Sequence, residues 1–370
     1  MMYRIIIQNN KLPLKERLKG VISYLLIRRG AHILWKRRFN KVFDLYPDFN
    51  KPCERSVETA HKEFWKPFSR RLNMATLRVC SSISGVANPK YIPEEIFVSD
   101  IEPTLNHTKT VEYLTYKSFY NHWFPGNIFP EDYFHNVDGE WLDSDLNPVD
   151  FSDIEFISGK LNYPVVVKPN RDSYGGQNVY FPRNKDELAT LIRNKKNFLV
   201  QERIRQGSFY EQFNKSGINT LRVNIYRSVK DNNLHIVNVV LRMGVGGSLD
   251  NETAGGIVTM IRQDGAMNGF AVDKYGKKYI EHPDTGARFT QEIPDFEGLK
   301  ETALKIAGKI FYAGVVCLDL CYDSERRWRM IEVNINGGTI RFAQYHGSLF
   351  FGEFTDEVYE YCINNHWALK

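Results

Sequence analysis

Val315-Val316-Cys317-Leu318-Asp319-Leu320, a polar turn from Asp323 to Arg327, and Trp328 to Ile340 (WRMIEVNINGGTI) form the stretch from which the fold is read. Apolar residues alternate on both sides of the turn, so two antiparallel strands are expected. Side chains alternate between the faces of a strand, so Glu332 and Asn334 share one face while Ile331, Val333 and Ile335 take the other. Asp319 can face the polar pair from the neighbouring strand. Two carboxylates and an amide carbonyl are oxygen ligands suited to a hard cation such as Mg²⁺, which keeps several waters and shares its remaining positions with substrate phosphates. The competing reading is a pair of edge carboxylates held by Arg326, Arg327 or Arg329. Carboxylates within otherwise apolar strands need partners of one kind or the other.

The chain has 370 residues, 42% hydrophobic and 14% aromatic, enough for a sizeable core and two or three structural units. Its five cysteines (Cys53, Cys80, Cys317, Cys321 and Cys362) are scattered without CxxC pairing, which argues against a disulfide framework or a zinc site and fits a reducing cytoplasm. The start has no signal-peptide order, and no stretch reaches the roughly 18 apolar residues of a membrane span, so neither secretion nor an integral membrane protein is expected. Charge is uneven: residues 1–71 hold 17 Lys/Arg against 6 Asp/Glu, an excess of +11, which against the overall +5 leaves −6 for the remainder. A basic arm attracts nucleic acid, anionic membranes or acidic substrates, and composition alone does not choose among them.

Residues 15–38 (KERLKGVISYLLIRRGAHILWKRR) read as a basic amphipathic helix. It either lies in a membrane interface, with Trp35 at headgroup level, or packs on neighbouring helices with its basic face in water. Residues 57–80 read as a helix ending before SSISG, and the Pro residues and changed composition of Tyr91 to Asn106 suggest a linker or the entry to a domain. Residues 109–120 read as a helix opening a second unit. There, Asn162 to Pro169 is a buried strand, NRDSYGGQ (Asn170 to Gln177) a small-residue loop, Asn178 to Phe181 a short strand, Asp186 to Lys195 a helix and Phe198 to Ile204 a strand.

Within that unit, Gly175 and Gly176 let backbone N–H groups approach an anion, and Lys168 ends the strand feeding the loop. The loop matches neither GxxxxGK[ST] nor GxGxxG. Further on, Thr220, Arg222, Asn224 and Tyr226 share one face of a strand, and Leu234 to Met243 repeats the pattern with Arg242 near its end. An inward arginine in mid-strand requires a negatively charged partner. Asn251, Gly255 and Gly256 then lead into the strand Ile257 to Ile261. Two arginines, a lysine and the metal-binding groups together suit a triphosphate.

The order VVVKP, glycine loop, VQERI, INTLRV, VVLRMG, DNETAGG, CLDL and MIEVNINGG resembles the ATP-grasp enzymes, most closely the sugar-transfer-associated group found beside glycosyltransferases in polysaccharide gene clusters. The resemblance covers about residues 90–350 and implies an α+β fold in which two subdomains grip ATP. With it go a helical basic region and linker over 1–105 and an ATP-grasp domain over 106–370, divided into a lid of about 160–204 and a larger subdomain of about 205–365. It implies that Asp319, Glu332 and Asn334 bind two Mg²⁺ ions, and that Lys168 holds phosphate beneath a lid loop of Ser173, Gly175 and Gly176. Gln201, Glu202 and Ile204 would line the adenine hinge. Arg222 and Arg242 would hold the γ-phosphate and the developing oxyanion, with Asn251, Gly255, Gly256 and Arg341 on the substrate side. Lys117 corresponds to the lysine of an Asp-Lys pair in the family; here Tyr116 replaces the Asp.

The function so implied is an ADP-forming carbon–nitrogen ligase that joins a carboxylate to an amine through an acylphosphate, on a sugar or glycan of capsular, exopolysaccharide or O-antigen biosynthesis. The alternatives are a kinase of the same fold acting on a sugar hydroxyl, and a non-catalytic nucleotide-binding scaffold. The partners implied are small-molecule amine and carboxylate substrates, with no nucleic acid. Peripheral contact of the basic arm with the inner face of the membrane would accompany a cytoplasmic location.

Overall fold

A computed structural model describes residues 2–10, 12–171, 178–247 and 255–369. Two antiparallel sheets organise them. The smaller contains β1 (Asp132–Val137), β2 (Glu140–Asp143), β3 (Val166–Pro169) and β4 (Phe198–Gln201), in the order β2-β1-β4-β3. Its core, including Phe134, Val165, Val167, Phe198 and Val200, is closed by Ile154 of the helix Phe151–Ser158 and by Leu188 and Ile192 of the helix Lys185–Ile192. Asn184 caps the second helix by accepting from the Glu187 N–H at 2.9 Å, which satisfies one of the N–H groups left over at a helix start.

The larger sheet joins β5 (Thr220–Arg227), β6 (Leu234–Met243), β7 (Ile257–Ile261), β8 (Ala271–Val272), β9 (Lys278–Tyr279), β10 (Val315–Tyr322) and β11 (Trp328–Asn334), in the order β11-β10-β5-β6-β7-β8-β9. Alternation splits its side chains between two cores. Leu221, Val223, Ile225, Leu318 and Leu320 meet the helix Phe296–Ala307 on one face. On the other, Val240, Val258 and Val272 meet Trp35, Phe39 and Val42 of helix α2, and Tyr226 and Val315 meet Ile6, Tyr24 and Trp65. The N-terminal helices α1 (Met2–Gln8), α2 (Leu14–Leu45), α3 (Arg55–Trp65) and α4 (Ala75–Ser84) thus cover the face that also carries Arg222, Arg242 and Asp319.

Several elements depart from the sequence reading. The pairing slips between Asp319 and Leu320, so Met330, Val333 and Ile335 face the core and Ile331 is left half-buried; a bulge breaks the strict alternation assumed for that strand. Residues 91–106 are no linker. Glu94 to Leu105 is continuous helix with a π-turn at Phe97–Ile101, and Glu94, Glu95, Asp100 and Glu102 are buried in it. Their partners come from far along the chain: Arg28 reaches Asp100 at 2.7 Å, and His366 lies 3.2 Å from it.

The stretch 57–80 divides into α3 and α4, and α4 runs through Ser81–Ser84 because Ser84 satisfies the Cys80 carbonyl and Gly85 ends the helix at positive φ. The helix expected over 109–120 is a chain of short turns, since its β-branched and aromatic residues form helix weakly and the Lys117 N–H is donated to the Asn170 carbonyl. Only the isolated pairing of Val167 with Tyr180 survives of the strand at 178–181. The smaller sheet also draws β1 and β2 from residues upstream of 160.

Candidate functional site

Asp319 sits in mid-β10, opposite Arg222 on β5 and Glu332 on β11. Arg222 grips it with both arms of its fork, Nε to Oδ1 and Nη2 to Oδ2 each at 2.8 Å, and Arg242 Nη1 donates to Oδ2 at 2.8 Å. Asn334 Nδ2 adds a fourth donor at 3.2 Å. Burial on its own would raise the Asp319 carboxyl, but the two arginines outweigh it and hold the group below the usual carboxylate range. The guanidinium groups expected on phosphate and oxyanion are therefore turned onto Asp319 in this structure. Arg242 uses one nitrogen only and keeps donors to spare among the described residues.

Glu332 is half-buried, and its Oε1 lies 2.9 Å from Lys117 Nζ. Lys117 in turn joins the two sheets, because its N–H is donated at 2.7 Å to the carbonyl of Asn170, just past β3. Lys168, on β3, points into the same space. It is buried and makes no hydrogen bond or ion pair among the described residues, and burial, followed by the nearby Lys117 charge, pushes it down to about 8. Lys117, Lys168, Arg222 and Arg242 outnumber the neighbouring carboxylates Asp319, Glu332 and Asp132.

Asp132 is a member that the sequence reading missed. It accepts from Gln201 Nε2 at 2.9 Å and Asn121 Nδ2 at 2.8 Å, and burial raises it to about 6. Gln201 thus spends its amide inside the small sheet. Glu202 binds Arg329 at 2.9 Å and Ile204 is buried, on the segment that crosses between the sheets and is fastened by Gly207 N to the Tyr322 carbonyl and Ser324 N to the Arg205 carbonyl, both at 2.8 Å.

Arg341 does not join this cluster. Arg341 is buried under Trp35, with its guanidinium 5.4 Å from the ring centre and 3.8 Å from Glu94. Gly255, at positive φ, and Gly256 form the turn into β7. Ser173, Gly175, Gly176 and Asn251 lie outside the described residues. His346 is a core histidine, stacked on Phe270 at 4.4 Å and pushed down by burial to about 3.

A divalent ion fits this donor set in one way. Glu332 and Asn334 present oxygen ligands on one face, as hard cations require. Asp319, however, already carries four donor contacts, and no group of three or more His, Cys, Asp or Glu among the described residues is arranged to hold a metal. A bare cation meets net positive charge here, whereas a cation arriving with phosphates meets balanced charge.

Residues 185–350, a little under half of the chain, match the family described as sugar-transfer associated ATP-grasp, and they include most of the larger sheet and the strands that carry Arg222, Arg242, Asp319 and Glu332. No curated protein matches the sequence. Among solved structures, similar ones include the N5-carboxyaminoimidazole synthetase from Staphylococcus aureus complexed with ADP (11% identity, TM-score 0.41, 67% of this chain and 55% of that one). Others are the L-amino acid ligase from Bacillus licheniformis (15%, 0.38, 64% and 44%) and the biotin carboxylase domain of the Hydrogenobacter thermophilus 2-oxoglutarate carboxylase with MgADP, ADP and bicarbonate (14%, 0.39, 68% and 48%). The chain spans about half the length of these structures.

Proposed function

We propose that the chain is an ATP-dependent carboxylate–amine ligase, with the triphosphate lying between the two sheets. The observation that supports this is Lys168: a buried ammonium with no ion-pair partner among the described residues, beside Lys117 and two arginines, is a site where positive charge exceeds negative. ATP supplies the balancing negative charge. In this reading Lys117 and Lys168 bind phosphates, Gln201, Glu202 and Ile204 flank the adenine, and Arg242 uses its spare donors on the transferring group. Asp319, Glu332 and Asn334 would hold one or two Mg²⁺ ions brought in with the nucleotide, and the metal supplies charge neutralisation of the phosphates. A carboxylate oxygen attacks the γ-phosphorus and ADP leaves. An amine nitrogen then attacks the acyl carbon, and phosphate departs carrying the attacking oxygen. Positioning and electrostatics suffice for these steps.

The proposed ATP-grasp domain runs over 106–370, with a lid that takes β1 and β2 in addition to residues 160–204. The sugar or glycan substrate rests on the sugar-transfer description of the matched family. ADP release measured against a panel of uronic acids, with and without amines, tests the proposal. Release only when both are present supports a ligase; phosphate stably fixed on a hydroxyl would instead identify a kinase.

Peripheral membrane contact belongs to the same reading. Leu14, Leu18, Ile22, Leu25 and Leu26 are exposed along the front of α2, with Lys15, Lys19 and Arg29 among them. An anionic lipid surface satisfies both the apolar row and the cations. A second copy of the chain would bring like charges together. Among the described residues no helix is long and apolar enough to cross a membrane.

A further inference from the structure

A cavity lies within the N-terminal helices, apart from the residues gathered around Asp319. It has a volume of about 410 Å³ and opens between α2, the turn Pro47–Asn50 and the start of α4. The size is in the ~300–1,000 Å³ range of small-molecule sites, with room for one or two sugar rings. Leu72, Met74 and Ala75 give it an apolar part of its lining.

No carboxylate lines this cavity, but Lys36, Arg71 and Arg78 do. Arg78 is engaged, with Nε on Glu58 at 2.9 Å and Nη1 on Asn50 Oδ1 at 3.1 Å. Lys36 and Arg71 make no hydrogen bond or ion pair among the described residues, so two cations at the rim lack a counter-charge. Amide groups line the cavity as well. Asn73 Oδ1 accepts the Ala75 N–H at 2.9 Å, which among the described residues leaves its NH₂ free to donate, and the Asn40 amide makes no side-chain hydrogen bond among them. Phe39 and Phe43 stack along one wall with ring centres 6.4 Å apart.

We infer that this cavity binds an anionic saccharide, a sugar ring carrying a carboxylate or a phosphate. Each part of the lining answers to one part of such a ligand. The unpaired Lys36 and Arg71 take the acidic group as charge-assisted partners. Asparagine amides, which donate and accept, match ring hydroxyls. The phenylalanine wall takes the apolar C–H face of the ring. A free inorganic anion has no use for the amides or the aromatic wall, and a lipid bilayer does not enter a concave site. The inference is independent of the ligase reading, since it draws on none of the residues around Asp319.

The test is calorimetric titration of the full chain, without nucleotide, with digalacturonate, glucose 1-phosphate, maltose and inorganic phosphate. At least one of the two charged sugars binds, more weakly as salt rises, and the stronger of the two identifies carboxylate or phosphate as the acidic group. Lys36→Glu with Arg71→Glu lowers that affinity at least tenfold, and Asn40→Ala, which leaves the charge intact, lowers it severalfold. All three positions are solvent-exposed, and an unchanged thermal melt verifies the fold. Failure of both charged sugars to bind, maltose binding as tightly as either, inorganic phosphate matching glucose 1-phosphate, or wild-type affinity in the charge-reversed variant would overturn the assignment.

Discussion

Lys117 Nζ stands 2.9 Å from Glu332 Oε1, while the Lys117 backbone N–H is donated at 2.7 Å to the Asn170 carbonyl. One residue thereby ties the larger sheet to the strand that carries Lys168. The consequence is electrostatic as well as mechanical, because Lys117 is the charge that, after burial, most depresses Lys168. In the proposed ligase the pair would clamp phosphate, because an anion relieves their mutual repulsion.

That relation predicts how nucleotide affinity varies with pH. Free Lys168 loses its proton near pH 8, so ATP binding, which favours the charged form, weakens as pH rises above about 8. A fall of up to about tenfold per pH unit is expected, because binding then takes up one proton. Lys168→Arg, charged throughout, flattens the profile. Titration of ATP across pH 7 to 9.5 on both proteins checks this, and parallel profiles would exclude Lys168 from the phosphate site.

Arg222 and Arg242 separate in the same way. Arg222 occupies both oxygens of Asp319, so Arg222→Lys keeps the charge but loses one arm of a buried bidentate pair and is expected to destabilise the fold by about 1–3 kcal/mol. Arg242 contributes one nitrogen and retains the rest. Arg242→Lys should therefore lower kcat, by about 2–4 kcal/mol of barrier, with little change in KM for ATP. Steady-state kinetics and denaturant melts on both variants decide the point; a raised KM with normal kcat would make Arg242 a ground-state ligand.

Much of this constellation is legible in the sequence because strand alternation is rigid. Asp319, Glu332, Arg222 and Arg242 fall on one face by counting alone. What counting misses is where alternation breaks or partners are remote. The bulge at Ile331 has no marker in the sequence, and the buried carboxylates of 94–102 find Arg28, His366 and the Gly338 N–H far along the chain. Strands β1 and β2 did carry a signal. Asp138-Gly139 sits between two apolar runs, and both residues adopt the positive φ that a two-residue hairpin turn requires.

Glu102 gives a prediction for stability. It accepts the Gly338 N–H at 2.8 Å with no ion-pair partner among the described residues, and burial raises it to about 7. Its folded pKa lies above the unfolded value, so its stabilising contribution is fully present below about pH 4.5 and is lost as pH rises through 7. Glu102→Gln should remove that dependence and leave the protein more stable at pH 8, by on the order of 3 kcal/mol. Urea midpoints at pH 5 and pH 8 test it, and a variant that is less stable at pH 8 would refute it.

The exposed front of α2 predicts membrane binding that depends on both its leucines and its cations. Replacing Leu18, Ile22 and Leu25 with Ser should abolish co-sedimentation with vesicles containing anionic lipid, with ATP turnover retained, since these side chains face solvent. Binding that survives the substitutions would remove the membrane from the account.

The most direct measurement follows an oxygen atom. The carboxylate substrate identified by ADP release is labelled with ¹⁸O in its carboxyl group and turned over with ATP and the amine. Attack of the carboxylate on the γ-phosphorus, followed by attack of the amine on the acyl carbon, places one ¹⁸O in each phosphate released. Phosphate mass spectra showing that single label are the predicted result; unlabelled phosphate, with the label wholly retained in the product, would contradict the ligase mechanism.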